Sequence, residues 1–177
     1  MATIWKRGGW VAGALAVGFV TAAAAQAPMG TPIPPAAKDF ASDAVQASQY
    51  EIVAAQVALA QSQTSSVRAF AEEMIADHTR AQEAMTTAAI ASGLPAPPLA
   101  MNSDEAHLVA ALQGVRGADF DKLYARQQVL AHSQALAVEQ SYASAGADGN
   151  LRQAAQGDVP MIQHHLEMAK TLADTLG

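Results

Sequence analysis

Apolar residues recur at spacings of three and four along most of the chain after residue 37, the pattern of a helix with one buried face. The pattern predicts four long helices and one short helix. The predicted ranges are 38–63, 65–92, 104–113, 118–144 and 150–176. Ser103 is the predicted N-cap of the short helix. Pro160 lies inside the last predicted helix, so that helix either kinks there or restarts with Asp158 as a second N-cap.

The four long helices form two similar pairs in the sequence. Asp-Phe opens the first and third helices at 39–40 and 119–120. Val-Arg-x-Phe-Ala opens the second at 67–71, and Leu-Arg-x-Ala-Ala opens the fourth at 151–155. This repeat indicates one helical hairpin used twice. We therefore predict an all-α fold, a four-helix up-down bundle, with the short helix in the crossover between the pairs.

The composition supports this class of fold. Alanine supplies 43 of the 177 residues, and cysteine is absent. Alanine favours helices that pack closely, whereas strands favour β-branched and aromatic residues. The lack of cysteine excludes disulfides, thiolate metal sites and cysteine nucleophiles.

Residues 1–25 are predicted to be a signal peptide. Lys6 and Arg7 precede an apolar stretch at 10–20, and small residues follow, with cleavage predicted after Ala25. A Pro-rich linker at 26–37 then leads to a helical domain at 38–177. We expect a periplasmic or secreted protein after cleavage, and an inner-membrane anchor is the alternative if the segment is not cleaved.

The net charge of the chain restricts the classes of partner that the protein is expected to bind. The net charge is −6, and it becomes −8 if Lys6 and Arg7 leave with the signal. Such a surface repels nucleic acid and anionic lipid. We expect no nucleic-acid partner and no stable membrane insertion after cleavage. A second copy of the chain or another envelope protein is the partner left open.

Few polar residues lie on the predicted buried faces. Glu51, His78 and His165 lie on those faces, and His132 lies at the edge of one. A buried ionised glutamate requires a partner. One carboxylate and up to three imidazoles could therefore bind Fe, Zn or Mn in a mononuclear site. The alternative is a structural Glu–His cluster that holds the helices in register and binds no cofactor.

A ferritin-type di-iron site is not supported by the spacing. That site requires Glu-x-x-His on two helices, whereas Ile75, Ile162 and Met161 stand three residues before His78, His165 and His164. His164 and His107 are predicted to lie on exposed or flanking surfaces. Nucleophile-elbow, phosphate-loop and zinc-protease motifs are also absent from the sequence, so no catalytic residue is predicted.

Several of these motifs together resemble a bacterial family. They are Val-Arg-x-Phe-Ala-x-x-Met-Ile-x-Asp-His at 67–78, Phe-Asp-x-x-Tyr at 120–124, His132, Leu-Arg at 151–152, and a histidine at 164 or 165. From residue 38 to residue 176 the chain is similar to the secreted proteins labelled domain of unknown function 4142, or "predicted outer membrane protein". The resemblance implies a ferritin-like bundle and no established activity.

These observations favour an exported periplasmic helical-bundle protein, a non-enzymatic envelope or stress-related protein that binds a partner or a small ligand. The alternative is a metal-binding or redox bundle protein with the mononuclear Glu/His site. Whether the protein is an enzyme stays open, although the missing catalytic motifs favour a binding role.

Overall fold

The computed structural model of the protein describes residues 36–177, which form five helices and no strand. The helices are α1 (Ala37–Gln61), α2 (Ser65–Ala91), α3 (Ser103–Gln113), α4 (Gly117–Ala145) and α5 (Gly149–Leu176). The predicted all-α class is confirmed, and each helix begins and ends within two residues of its predicted bounds. The predicted signal peptide and most of the predicted linker lie outside the described residues.

The helices pack as two hairpins joined side by side. Three-residue connections link α1 to α2 and α4 to α5, and each hairpin packs along its length. α2 also contacts α5, and α1 contacts α4, while the short α3 lies against α1 and α4. Side chains from α1, α2, α4 and α5 therefore share one interior.

The repeated Val-Arg and Leu-Arg motifs have the same structural role in the two hairpins. Val67 and Leu151 are fully buried. Nη1 of Arg68 donates to the backbone carbonyl oxygen of Leu59 at 2.6 Å, and Nη1 of Arg152 donates to that of Gly146 at 2.7 Å. Each arginine thus satisfies carbonyl groups where the preceding helix ends. The repeat marks two equivalent helix–turn–helix corners.

Aromatic rings fill much of the apolar interior. The rings of Phe40 and Tyr142 stack with centroids 3.7 Å apart, which joins the start of α1 to the end of α4. Tyr124 contacts Phe70 and Phe120 at centroid distances of 6.0 Å. The contacts of Phe40 with Tyr142 and of Phe70 with Tyr124 join the two hairpins at places where alanine alone would leave gaps.

One predicted helix cap is wrong, and of the two alternatives left open for the last helix, the restart at Asp158 does not occur. The side chain of Asn102, not Ser103, caps α3, because its oxygen accepts from the amides of Asp104 and Glu105 at 2.9 Å. α5 continues through Pro160, and its N-cap is Asp148 rather than Asp158. Helices α2 and α4 pack along α5, in which the proline removes one backbone hydrogen bond.

Candidate metal centre

Three buried histidines meet between α2, α4 and α5. His78, His132 and His165 are 6%, 1% and 0% exposed. Their ring centroids are 5.4 to 5.6 Å apart, and one nitrogen from each ring lies within 4.8 Å of the others. Among the described residues, this is a group of three fully enclosed nitrogen ligands that could hold one ion.

Each histidine lies at a position that the helical period would otherwise give to an apolar side chain. His78 follows buried Met74 by four residues, and His165 precedes buried Ala169 by four. The period therefore carries the imidazoles inward regardless of their polarity. The packing of α5 against both α2 and α4 then brings the three rings together.

Hydrogen bonds on the outer side of the cluster fix two of the tautomers. Nδ1 of His132 lies 2.9 Å from the backbone carbonyl oxygen of Gln128, and Nε2 of His165 lies 3.0 Å from Oδ2 of Asp77. A carbonyl or carboxylate oxygen only accepts, so each of these ring nitrogens carries the proton. The opposite nitrogens, Nε2 of His132 and Nδ1 of His165, therefore keep free lone pairs.

The inner side of the cluster is poorly satisfied by comparison. Nε2 of His78 lies 3.4 Å from Nε2 of His132, a long contact for a hydrogen bond. Nδ1 of His78 and Nδ1 of His165 are buried and have no hydrogen-bond partner. Buried polar atoms are nearly always paired, so these two nitrogens lack a partner that a bound ligand could supply.

Burial also sets the charge state of the three rings. It lowers the pKa of His78 well below its ordinary value and that of His132 to about 4. Burial lowers the pKa of His165 as well, although Asp77 opposes the change. The three imidazoles are therefore neutral near pH 7, which is the form that binds metals.

Glu51 lies beside the cluster rather than within the group of three nitrogens. Its Oε1 is 3.8 Å from Nδ1 of His132, the nitrogen that faces away from the other rings. The carboxyl group is 4% exposed, and its Oε2 has no hydrogen-bond partner. Burial raises the pKa of Glu51 to about 8. The structure thus brings three of the four predicted ligands together and places the fourth next to one of them.

The cluster connects to the surface through Asp77. Oxygens of Glu73 and Asp77 and a nitrogen of His165 form a second group of atoms within 4.8 Å of one another. Glu73 also lies 3.5 Å from His164, and both side chains are largely exposed. His164 and His107 are exposed, as predicted. Asp77 therefore joins a buried imidazole to an exposed acidic patch.

A cavity of about 260 Å³ lies beside the cluster. His78, His132 and Glu51 form part of its wall. Leu130 and Val138 also line it, and they are 54% and 43% exposed. The apolar pattern of α4 alone would place these two residues on its buried face, and the structure places them at the surface. The cavity gives outside molecules a route to two of the three imidazoles.

Sequence reasoning missed three polar groups at this site. Asp77 was not predicted as a site residue, yet it forms a hydrogen bond with His165 of another helix. Gln128 and Glu139 are buried on α4 and were not predicted as site residues. Both lie at helical spacings from buried residues, Gln128 from Phe120 and Glu139 from Tyr142. A search restricted to apolar residues overlooks this signal.

The fold and site define an all-α protein with a buried cluster of three imidazoles. Residues 20–172 match the family described as "Domain of unknown function (DUF4142)", and the chain belongs to that family. No match was found among curated proteins or among solved structures. Membership in the family is therefore confirmed, while the ferritin-like and outer-membrane labels attached to it stay predictions.

Proposed function

We propose that the protein binds one divalent transition-metal ion through His78, His132 and His165. The observation that supports this proposal most strongly is that two of the three histidines make their hydrogen bonds to oxygen atoms on the outer side of the cluster. The outer nitrogens of His132 and His165 donate to oxygens, Nδ1 of His165 has no partner, and Nε2 of His132 has only the long contact with Nε2 of His78. Metal-binding histidines usually have this arrangement, in which a carbonyl or carboxylate orients the ring from outside.

The distances support a small tetrahedral ion. Two nitrogens bound to one Zn²⁺ at about 2.0–2.1 Å lie about 3.3–3.4 Å apart. Nε2 of His78 and Nε2 of His132 already have this separation, 3.4 Å. The other nitrogen pairs lie within 4.8 Å. A shift of at most about 1.4 Å would shorten a separation of 4.8 Å to the 3.4 Å of two nitrogens on one tetrahedral ion.

Three imidazoles suit Zn²⁺ or Fe²⁺ better than Mn²⁺, which favours oxygen ligands. Three protein ligands also leave a fourth position free. The cavity beside His78 and His132 gives that position access to water or a small ligand. We infer a binding role in the cell envelope and propose no reaction.

Metal analysis of the untagged protein tests this proposal. We expect about one Zn²⁺ per chain, and Co²⁺ should give the visible spectrum of a tetrahedral site. His165→Ala should weaken binding at least 100-fold, and Asp77→Ala about 10- to 100-fold through loss of the outer hydrogen bond. His164→Ala is the matched control, because His164 is adjacent to His165 and exposed.

The proposal fails if folded wild-type protein binds no ion, or if His164→Ala weakens binding as much as His165→Ala. Circular dichroism of each variant separates lost binding from lost folding, and His165→Gln provides a second variant that keeps more of the side-chain volume. Loss of stability without any metal in the wild type would favour the structural Glu–His cluster instead.

We also propose that the chain is exported and cleaved after Ala25. The charged, apolar and small-residue stretches of the first 27 residues support this proposal. Among residues 36–177, no helix is long and apolar enough to cross a membrane. Mass spectrometry of periplasmic protein tests the cleavage. A cleaved chain also lacks Trp5 and Trp10 and should show no tryptophan fluorescence, whereas a membrane-bound chain with that fluorescence would support the anchored alternative.

For the architecture, we propose the four-helix ferritin-like arrangement, with α3 in the crossover. The contacts of α1 with α2 and α4, and of α5 with α2 and α4, support it. An experimental structure of the metal-loaded protein tests both the arrangement and the ligand set. A different pairing of the long helices would contradict it.

A further inference from the structure

The cavity beside the imidazole cluster has a composition that metal binding does not explain. Its volume is about 260 Å³. Carboxylate side chains reach its wall from four positions besides Glu51, and the lining contains no lysine or arginine. The five acidic residues are Asp43, Glu51, Glu105, Glu139 and Asp158. The wall is thus acidic and lacks a fixed cation of its own.

Glu139 of α4 is, with Glu51, one of two buried carboxyl groups on the wall that have an oxygen without a hydrogen-bond partner. It is 6% exposed, and its Oε2 makes no hydrogen bond. Burial raises the pKa of Glu139 to about 8, and the charge of Asp158 on α5 contributes to this increase. Burial also raises the pKa of Asp158, to about 6. A buried carboxyl group without a donor is costly, and a cationic ligand would remove that cost.

The rest of the wall is apolar. Met85, Leu108, Leu130 and Ile162 line the cavity together with several alanines. An apolar cavity of about 150 Å³ holds benzene, so this one has room for about ten to twelve non-hydrogen atoms. Pockets of this kind bind ligands that combine an apolar body with one polar group.

We propose that this cavity binds a small organic ammonium ion, with its charged nitrogen at Glu139 and Asp158 and its apolar body against Met85 and Ile162. This site shares the cavity with the open position of the proposed metal site but uses other residues, because none of these four residues is a proposed ligand. This proposal rests on the proposed role of the protein as an envelope binding protein. It names the chemical class of the small ligand, apolar amines.

Phenethylamine is a suitable probe, because its size fits the cavity, and 2-phenylethanol is its neutral analogue. Binding is measured by calorimetry and by NMR shifts of the labelled protein, with and without added Zn²⁺. We expect the amine to bind at least ten-fold more tightly than the alcohol. Glu139→Gln should weaken amine binding at least ten-fold and leave alcohol binding unchanged.

Proton release gives a second readout. The titratable groups on the wall are the five carboxyl groups, Tyr50, His78 and His132. Burial disfavours the charged forms of His78 and His132 and raises the pKa of Tyr50. A carboxyl group that ionises beside the ammonium ion should therefore release a proton near pH 7, which calorimetry in two buffers detects. Glu139→Gln should reduce this release.

Two outcomes overturn the proposal: equal affinity for amine and alcohol, which indicates an apolar cavity only, and binding of neither. Glu83→Gln is the matched control, because Glu83 is exposed on α2, outside the cavity. His165→Ala should weaken metal binding at least 100-fold and leave amine binding intact. The two proposals can therefore fail independently.

Discussion

Replacing Glu139 with glutamine should stabilise the metal-free protein, and the gain should grow with pH. Burial raises the pKa of Glu139 from 4.5 to about 8. Between these values the unfolded chain has an ionised carboxylate, whereas the folded chain keeps the proton. Folding then requires proton uptake, so stability falls by about 1.4 kcal/mol for each pH unit.

The magnitude follows from the same two values. Near pH 4.5 the substitution should change stability little, because the carboxyl group is protonated in the folded state and half protonated in the unfolded state. Above pH 8 the full difference of about 5 kcal/mol applies. This is a large share of the 5–15 kcal/mol typical of a folded domain. Glutamine keeps the size of the side chain and does not titrate.

Urea unfolding measured by far-ultraviolet circular dichroism checks this prediction, because the domain is helical and the cleaved chain would have no tryptophan. The measurement compares wild type, Glu139→Gln and Glu83→Gln from about pH 5 to about pH 9. The stability of Glu139→Gln relative to wild type should rise across this range, while exposed Glu83→Gln should show a small, constant difference. A Glu139→Gln difference that stays constant with pH would refute the reasoning.

Three further substitutions test the fold itself by the same urea unfolding. Tyr124→Phe should be neutral or stabilise the protein by about 1 kcal/mol, because its buried hydroxyl has no partner; a loss above that would indicate a hidden hydrogen bond. Arg68→Ala should destabilise by about 1–2 kcal/mol, since it leaves the Leu59 carbonyl without its charged donor, and an unchanged midpoint would contradict this. Pro160→Ala should stabilise by about 1–3 kcal/mol by supplying a donor to the carbonyl of Gln156, and destabilisation would show that α5 needs the proline.

The periodicity of the sequence predicted the helices well because each helix has a continuous buried stripe. It failed where that stripe becomes polar. On α4 the buried positions include Gln128, His132 and Glu139, which face the imidazole cluster and the cavity. A search for apolar residues instead chose Leu130 and Val138, which lie at the exposed part of the cavity wall. The helix was therefore predicted correctly and its rotation only in part.

Contacts between helices were the second feature that the sequence pattern could not predict. The pattern placed His78 and His165 inside, but it could not show that Asp77 reaches His165, 88 residues away. One helix fixes only the direction in which a side chain leaves its own axis. The partner across the interface depends on how far α5 is shifted along α2. Tautomers, and with them the lone pairs available to a metal, depend on that shift as well.

The internal repeat supports one ion rather than two. A di-iron bundle takes matching ligands from matching helices of its two halves. Here the shared positions of the hairpins are structural, namely the buried Val67 and Leu151 and the carbonyl-binding Arg68 and Arg152. The histidines do not follow the repeat, because α2 supplies one and α4 and α5 supply the other two, at positions that the repeat does not relate. Among residues 36–177, the asymmetry leaves one group of three histidine nitrogens, beside the cavity. A site of this kind has the ligands for one ion and an open face for one small molecule.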